Sequence, residues 1–297
     1  MSKIKFCSVG ECMLEIANIN KNKYIQSFAG DTLNFASYLN KKLIDVDYLT
    51  SVGISEINKN FFKLLRQKNI SKKLVHIHAI KETGLYLINN NSLGEKKFYY
   101  WRDDSAAKNY FNSLNFMDLK NILLKYNYLY FSGITLSIIS LRKQKEFLQL
   151  IKKLKKNNVK IIFDLNIRLK RWSNLNNLSI SLNLFLPFVD ILFATGEDMK
   201  NWQNKDGLNN FIDLIKKSNI NHAIFRKSAS INYALYEGEV CKKINIVRKK
   251  IIDSSGAGDG YNAAYISSFL DKGNIVESLK AAHAMGFEIT MKKGAII

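Results

Sequence analysis

Short, mostly apolar runs alternate with longer amphipathic stretches along most of the chain. The runs at 4–9, 46–52, 128–131, 159–164, 191–194 and 223–226 are too brief for helices. Their apolar residues sit at neighbouring positions, which predicts strands buried on both faces. Between them the apolar period lengthens to three and four. Leu33, Ala36, Leu39 and Leu43 share one helical face, and Phe147, Leu150, Ile151 and Leu154 share another. Such alternation predicts βαβ units around a parallel sheet, an α/β fold.

Two regions break the rhythm. Residues 12–28 and 74–101 hold strand-like segments with no helical period between them. Segments 84–88 and 97–101 flank a turn-rich stretch at 89–95 that contains Gly94, which predicts a hairpin in a small antiparallel sheet projecting from the main domain. Strand alternation turns Tyr99 and Trp101 away from Tyr100, into a core or a subunit contact. No linker, repeat or low-complexity segment interrupts the chain, and its one proline is Pro187.

Composition adds exclusions. The 297 residues are 47% hydrophobic and 24% charged, enough apolar content for a full core. A net charge of +20 raises the question of nucleic acid. The lysines are scattered, however, and are accompanied by the abundant Asn and Ile that AT-rich coding favours. Runs such as Arg248-Lys249-Lys250 are short, and no zinc-finger, RNP or basic-zipper pattern occurs, so no nucleic-acid partner is expected. Cys7, Cys12 and Cys241 form no CxxC, as reduced thiols would be, with Cys7 in the core. Without a signal-like segment or a run of 18 apolar residues, a soluble cytoplasmic protein with no membrane partner is expected. Of the four histidines only His76 and His78 have a suggestive spacing, on one face of a strand, and packing is the expected role.

The chemistry concentrates in Ile251-Ile252-Asp253-Ser254-Ser255-Gly256-Ala257-Gly258-Asp259-Gly260. A strand end is predicted to feed a glycine turn that opens a helix with Tyr261, Ala264, Tyr265, Ser268 and Phe269 on one face and Gly273 as its stop. Backbone N–H groups at a helix start favour an anion, and glycines let a phosphate approach. A carboxylate there would repel that phosphate unless it works, and the work that fits Asp259 is that of general base toward an attacking hydroxyl.

This segment resembles the second signature of the ribokinase-like (PfkB) carbohydrate kinases. Gly30-Asp31-Thr32-Leu33-Asn34 resembles the first, and the likeness extends from Gly10-Glu11-Cys12-Met13 to Gly294-Ala295-Ile296-Ile297. Within the family, Gly84-Leu85-Tyr86, 94–102, 131–134 and 164–172 resemble the branch that phosphorylates 2-keto-3-deoxygluconate. The resemblance implies one domain over 1–297, a three-layer sandwich with a mostly parallel sheet. Segments 12–28 and 74–104 would form a lid that closes over the sugar and pairs subunits as a homodimer or higher oligomer. It implies ATP and Mg²⁺ as cofactors and a sugar acid as substrate. Asp259 would be the base, with Gly256, Ala257 and Gly258 as anion hole. Gly30, Asp31, Asn34, Tyr86, Tyr100, Arg102 and Arg168 would hold the sugar acid, and Asn166, Thr195, Arg226, Ser228, Gly256 and Gly258 the nucleotide. Arginine suits a carboxylate by its planar fork.

Three positions depart from the family pattern. Residues 226–232 lack the usual glycine, which would narrow the nucleotide pocket. Thr195-Gly196-Glu197-Asp198 replaces an Asn-x-x-Glu, leaving Glu197 and Asp198 to act on the metal through water. Gly260 stands where Ser is frequent. The alternatives are a kinase for a neutral sugar such as fructose or ribose, and a family member that binds sugar without catalysis.

Overall fold

The computed structural model describes residues 3–20, 23–90, 96–228, 230–237, 239–245 and 251–297. The basic run at 248–250, the turn at 91–95 with Gly94, Ala229 of the glycine-free loop and the side chain of Cys241 lie outside the described residues.

Fourteen strands are described. The first eight are β1 (Ile4–Val9), β2 (Met13–Asn20), β3 (Lys23–Ala29), β4 (Ile44–Gly53), β5 (Ile70–Ser71), β6 (Val75–His78), β7 (Gly84–Asn90) and β8 (Lys96–Trp101). They are followed by β9 (Tyr128–Ser132), β10 (Lys160–Asp164), β11 (Ile191–Thr195), β12 (His222–Arg226), β13 (Ile231–Tyr236) and β14 (Glu239–Asn245). The central sheet runs β14-β13-β12-β11-β10-β9-β1-β4-β5, with β6 also on β4. From β12 through β4, and on to β5 and β6, every pairing is parallel; β13 and β14 add an antiparallel edge.

Consecutive apolar residues in the strands serve opposite faces. Leu129, Phe131, Ile161, Phe163 and Leu192 enter one core with the helix Leu141–Lys156. Tyr130, Ile162 and Phe193 enter the other, beneath the helices Asp31–Tyr38 and Ala257–Lys272. A sheet covered on both sides has no polar face, which explains the unbroken apolar runs. Cys7 and Cys12 are buried, as small apolar residues are.

The second sheet runs β3-β2-β7-β8. Its hairpins are antiparallel, but β2 and β7 pair in parallel, so the sheet is mixed rather than wholly antiparallel. Of the 74–101 region, β6 belongs to the central sheet. Tyr99 and Trp101 are exposed in the single chain, not core. The helix from Asp31 ends at Tyr38, short of Leu43, because Leu39 turns extended and the Lys41 ammonium caps the free carbonyls of Ala36 and Leu39. His76 stacks on Tyr110 at 4.5 Å and bonds the Ser51 hydroxyl, while His78 Nδ1 accepts the N–H groups of Ile80 and Lys81. No helix among the described residues is long and apolar enough to cross a membrane.

Candidate active site

Among the described residues no strand feeds the glycine turn. Ile251 and Ile252 are about half exposed, and the N–H groups of Ile252 and Asp253 go to the carbonyl of Thr290, a helix end, rather than to a ladder. Asp253 then fixes the turn by accepting the N–H of Ser255 at 2.8 Å and of Gly294 at 3.1 Å. Gly256 has φ +70, and a Cβ there would lie 2.4 Å from the Ala295 carbonyl oxygen, so glycine is required twice over. The helix Ala257–Lys272 begins at once with no side-chain cap. The N–H groups of Gly258 and Asp259 fall in its first turn, where no intrahelical acceptor exists. Gly273 ends the helix in the left-handed region.

Three carboxylates converge on this turn. Asp259 accepts the Asn34 side-chain amide at 2.8 Å, and Asn34 in turn accepts the Gly30 N–H at 3.4 Å. Asp31 accepts the Asn166 amide at 2.9 Å and the Ser132 hydroxyl. Asp164, 2% exposed at the end of β10, accepts the Asn262 amide at 2.8 Å through one oxygen, and its other oxygen has no partner. Burial pushes the Asp259 carboxyl well above the usual range. Asp31 and Asp164 add to the rise, and the Asn34 bond and Arg226 oppose it. Asp164 is pushed up to about 7, chiefly by burial, against the pull of Arg226 and Arg168.

The cations are arranged differently. Arg102 is buried and paired with buried Glu11, which also takes the Ser105 hydroxyl. Tyr86 is buried and its hydroxyl donates to Glu15, which takes the Ser27 hydroxyl as well. Tyr100 is exposed, its ring 5.9 Å from that of Tyr86. Arg168 is exposed, within electrostatic reach of Asp164. Arg226 closes β12 with its guanidinium 5.2 Å from the Tyr261 ring centroid, beside Gly258.

Gly30, Asn34 and Asp259 thus form one hydrogen-bonded set and Asp31, Asn166 and Ser132 another, neighbours through the Gly30–Asp31 peptide; Gly256, Ala257 and Gly258 lead directly into Asp259, and Arg226 lies beside Gly258. Ser228 is exposed and closes its own turn, its hydroxyl accepting the N–H groups of Ser230 and Ile231. Thr195 caps the helix Gly196–Gln203 in a capping box with Asp198. Both Asp198 oxygens are taken, one by the Ile167 N–H and the other by Thr195, so Asp198 is a structural residue and only exposed Glu197 stays open toward water. Glu11, Glu15, Asp164 and Asn262 were not singled out from the sequence. For Asp164 a signal existed: it begins an Asp-x-Asn-x-Arg run at the carboxyl end of a predicted strand, where open sheets bind ligands. A cavity of about 510 Å³ lies between Glu15, Ser27, Lys63, Ile88 and Ala295, and none of the site residues expected from the sequence lines it.

The profile of the pfkB family carbohydrate kinases matches residues 3–297. The chain is 29% identical over 304 residues to a 2-dehydro-3-deoxygluconokinase of Haemophilus influenzae, covering 100% of this chain and 96% of the relative. A 2-dehydro-3-deoxygluconokinase from Thermotoga maritima superposes with a TM-score of 0.83 at 20% identity, covering 99% and 96% of the two chains. A candidate Ribokinase II from Escherichia coli, in complex with ATP and Mg²⁺, gives 0.83 at 16% identity over 99% and 95%.

Proposed function

The chain belongs to the pfkB family of carbohydrate kinases, and from that premise we propose that it transfers the terminal phosphate of ATP to the 6-hydroxyl of 2-keto-3-deoxygluconate. The observation that carries the reading is the bond from Asn34 to Asp259. It joins the two segments, 225 residues apart, that a sugar and a phosphate would each occupy. Asp259 accepts the proton of the attacking hydroxyl. Its raised proton affinity makes it a stronger base than an exposed carboxylate, and Asn34 orients it by one oxygen while the other faces the hydroxyl. The N–H groups of the Gly256–Gly258 turn receive the negative charge that develops on the phosphoryl oxygens.

The nucleotide lies over the carboxyl ends of β11 and β12, by Thr195, Arg226 and Ser228. Among the described residues no cluster of three or more His, Cys, Asp or Glu suits a metal. Mg²⁺ would arrive on the ATP phosphates and keep most of its waters. Asp164, with one unpartnered oxygen, and Glu197 are the carboxylates left to meet those waters. When bound, the ion would neutralise phosphate charge. The β3-β2-β7-β8 sheet acts as a lid over the sugar, bringing Tyr86 and Tyr100 to it and excluding water. Arg168 meets the substrate carboxylate.

One observation favours a second reading. Glu11 already neutralises Arg102, which suits a neutral sugar such as fructose. The two separate in a coupled assay of ADP release with 2-keto-3-deoxygluconate, 2-keto-3-deoxygalactonate, gluconate, fructose and ribose. Preference for the keto-deoxy acids is expected, and turnover of neutral sugars alone would refute the substrate assignment. With the preferred substrate, Asp259→Ala should cost on the order of 10²-fold or more in kcat while the sugar still binds. A loss below about threefold would remove Asp259 from the role of base.

A further inference from the structure

Arg226 is a half-buried cation without a direct ion pair among the described residues, although Asp164 and Asp259 lie within its electrostatic reach. Arg102 has Glu11, and Arg171 reaches Asp103 at 3.0 Å. Among the described residues Arg226 makes neither a salt bridge nor a hydrogen bond, and its Nε is buried without a partner. Desolvating a guanidinium whose donors bond nothing is costly, and an anion from outside the chain is what would accept from them.

Its position is fixed. The guanidinium lies over the Tyr261 ring, 5.2 Å from the centroid. The ring is the operative part of Tyr261, because its hydroxyl is buried and bonds nothing. His283 also meets Tyr261, edge-on at 5.1 Å. Burial and the nearby Arg226 push that imidazole down to about 4, so it is neutral and adds no rival cation. From the other direction the turn closes in: a Cβ on Gly258 would fall 2.8 Å from Arg226 Nη1. Glycine at 258 is what lets the cation stand beside the anion hole.

We propose that Arg226 contacts the transferring phosphoryl group, clamped over the glycine turn by the Tyr261 ring, and that it discriminates a nucleotide with a γ-phosphate from one without. The inference rests on the kinase reading above and names the residue that meets charge at phosphorus. As the bond from the sugar oxygen to phosphorus forms, the bond from phosphorus to the ADP oxygen breaks and its electron pair leaves with ADP. The hydroxyl proton passes to Asp259. Charge spreads over the phosphoryl oxygens, and a fixed guanidinium beside them stabilises it at no cost of reorganisation.

Calorimetric titration with ADP and with the β,γ-imido analogue of ATP tests this apart from turnover. Arg226→Gln should weaken the imido analogue about tenfold or more and ADP less than about threefold. The kcat should fall about 10²- to 10³-fold, and Arg226→Lys should recover part of both losses. Equal weakening of the two nucleotides, or a kcat within about threefold of the parent, would overturn the proposal. Should the parent protein bind neither nucleotide, the kinase reading falls and this one with it. Binding by the parent with an unaltered profile in Arg226→Gln sinks this inference alone.

Discussion

Asp164 offers a quantitative test of the charge arrangement, independent of any ligand. Its carboxyl is 2% exposed, receives one amide hydrogen bond and leaves one oxygen without a partner. Burial and the neighbouring Asp198 and Asp31 move it from 3.8 to about 7. The folded value lies above the unfolded one, so the native state holds the extra proton. The stability linked to that proton is fully present below 3.8 and is lost as pH rises through about 7. At about 1.4 kcal/mol for each tenfold change in proton affinity, the loss amounts to about 4 kcal/mol. Asp164→Asn removes the titration. The substituted amide still offers an oxygen to Asn262, and its NH₂ occupies the place of the carboxyl proton. Relative to the parent, Asp164→Asn should therefore gain stability between pH 5 and pH 8. About 2.6 kcal/mol of that loss falls between pH 5 and pH 8, so with about 2 °C per kcal/mol for a chain of this size the difference in Tm should move by about 5 °C in favour of the variant. Calorimetric scans of both proteins without ligand at pH 5, 6, 7 and 8 measure it. Parallel curves, with a difference constant to within about 1 °C, would show that Asp164 titrates normally and refute the reasoning.

Two further substitutions test the supporting structure. Glu11→Gln leaves the Arg102 guanidinium buried without its carboxylate, side chains that are 4% and 0% exposed; a loss of about 3–5 kcal/mol in urea unfolding is expected. A loss below about 1 kcal/mol would mean that the pair is solvated. Gly256→Ala forces a side chain to φ +70 and against the Ala295 carbonyl. The backbone strain alone is about 1–2 kcal/mol, and displacement of the turn should lower kcat together with Tm. A variant equal to the parent in both measurements would show that the turn tolerates a Cβ.

The parts that were legible in the sequence are those fixed by local chemistry. A sheet covered on both faces writes itself as apolar runs, and the strands β1, β9, β10, β11 and β12 follow those runs to within a residue or two. The Gly256–Asp259 turn was equally plain, because only glycine satisfies its geometry. What was illegible depends on distant partners. The apolar pair Ile251 and Ile252 reads as a strand, but their backbone is drawn to the carbonyl of Thr290 instead. The parallel register of β2 on β7 joins segments some 70 residues apart and leaves no hairpin signal. Glu11 finds Arg102 across 91 residues, so the arginine read as a free fork is an internal ion pair. Thr195 to Asp198 has capping-box spacing, and that local signal outweighed the metal-related one.

The division between two kinds of pairing carries a functional argument. Three carboxylates near the turn are each held by a side-chain amide: Asp31 by Asn166, Asp164 by Asn262, Asp259 by Asn34. A lysine or arginine at any of those positions would bind the carboxylate more tightly, but would also depress its proton affinity. An amide orients the group without that depression, and burial then raises Asp164 and Asp259. The fold is able to neutralise a buried carboxylate, since it does so with Arg102 at Glu11. Ion pairing therefore sits where β8 joins the domain and only position is needed, and amide pairing sits where, on the proposed reading, a proton has to move. Arg226, stacked on Tyr261, is the counterpart. Asp164 and Asp259, both raised, and a guanidinium that makes no direct ion pair among the described residues are left for ATP, its cation and the acceptor hydroxyl to balance. For that reason Glu11→Gln should register in stability, Asp164→Asn in its pH dependence, and Arg226→Gln in the choice between nucleotides.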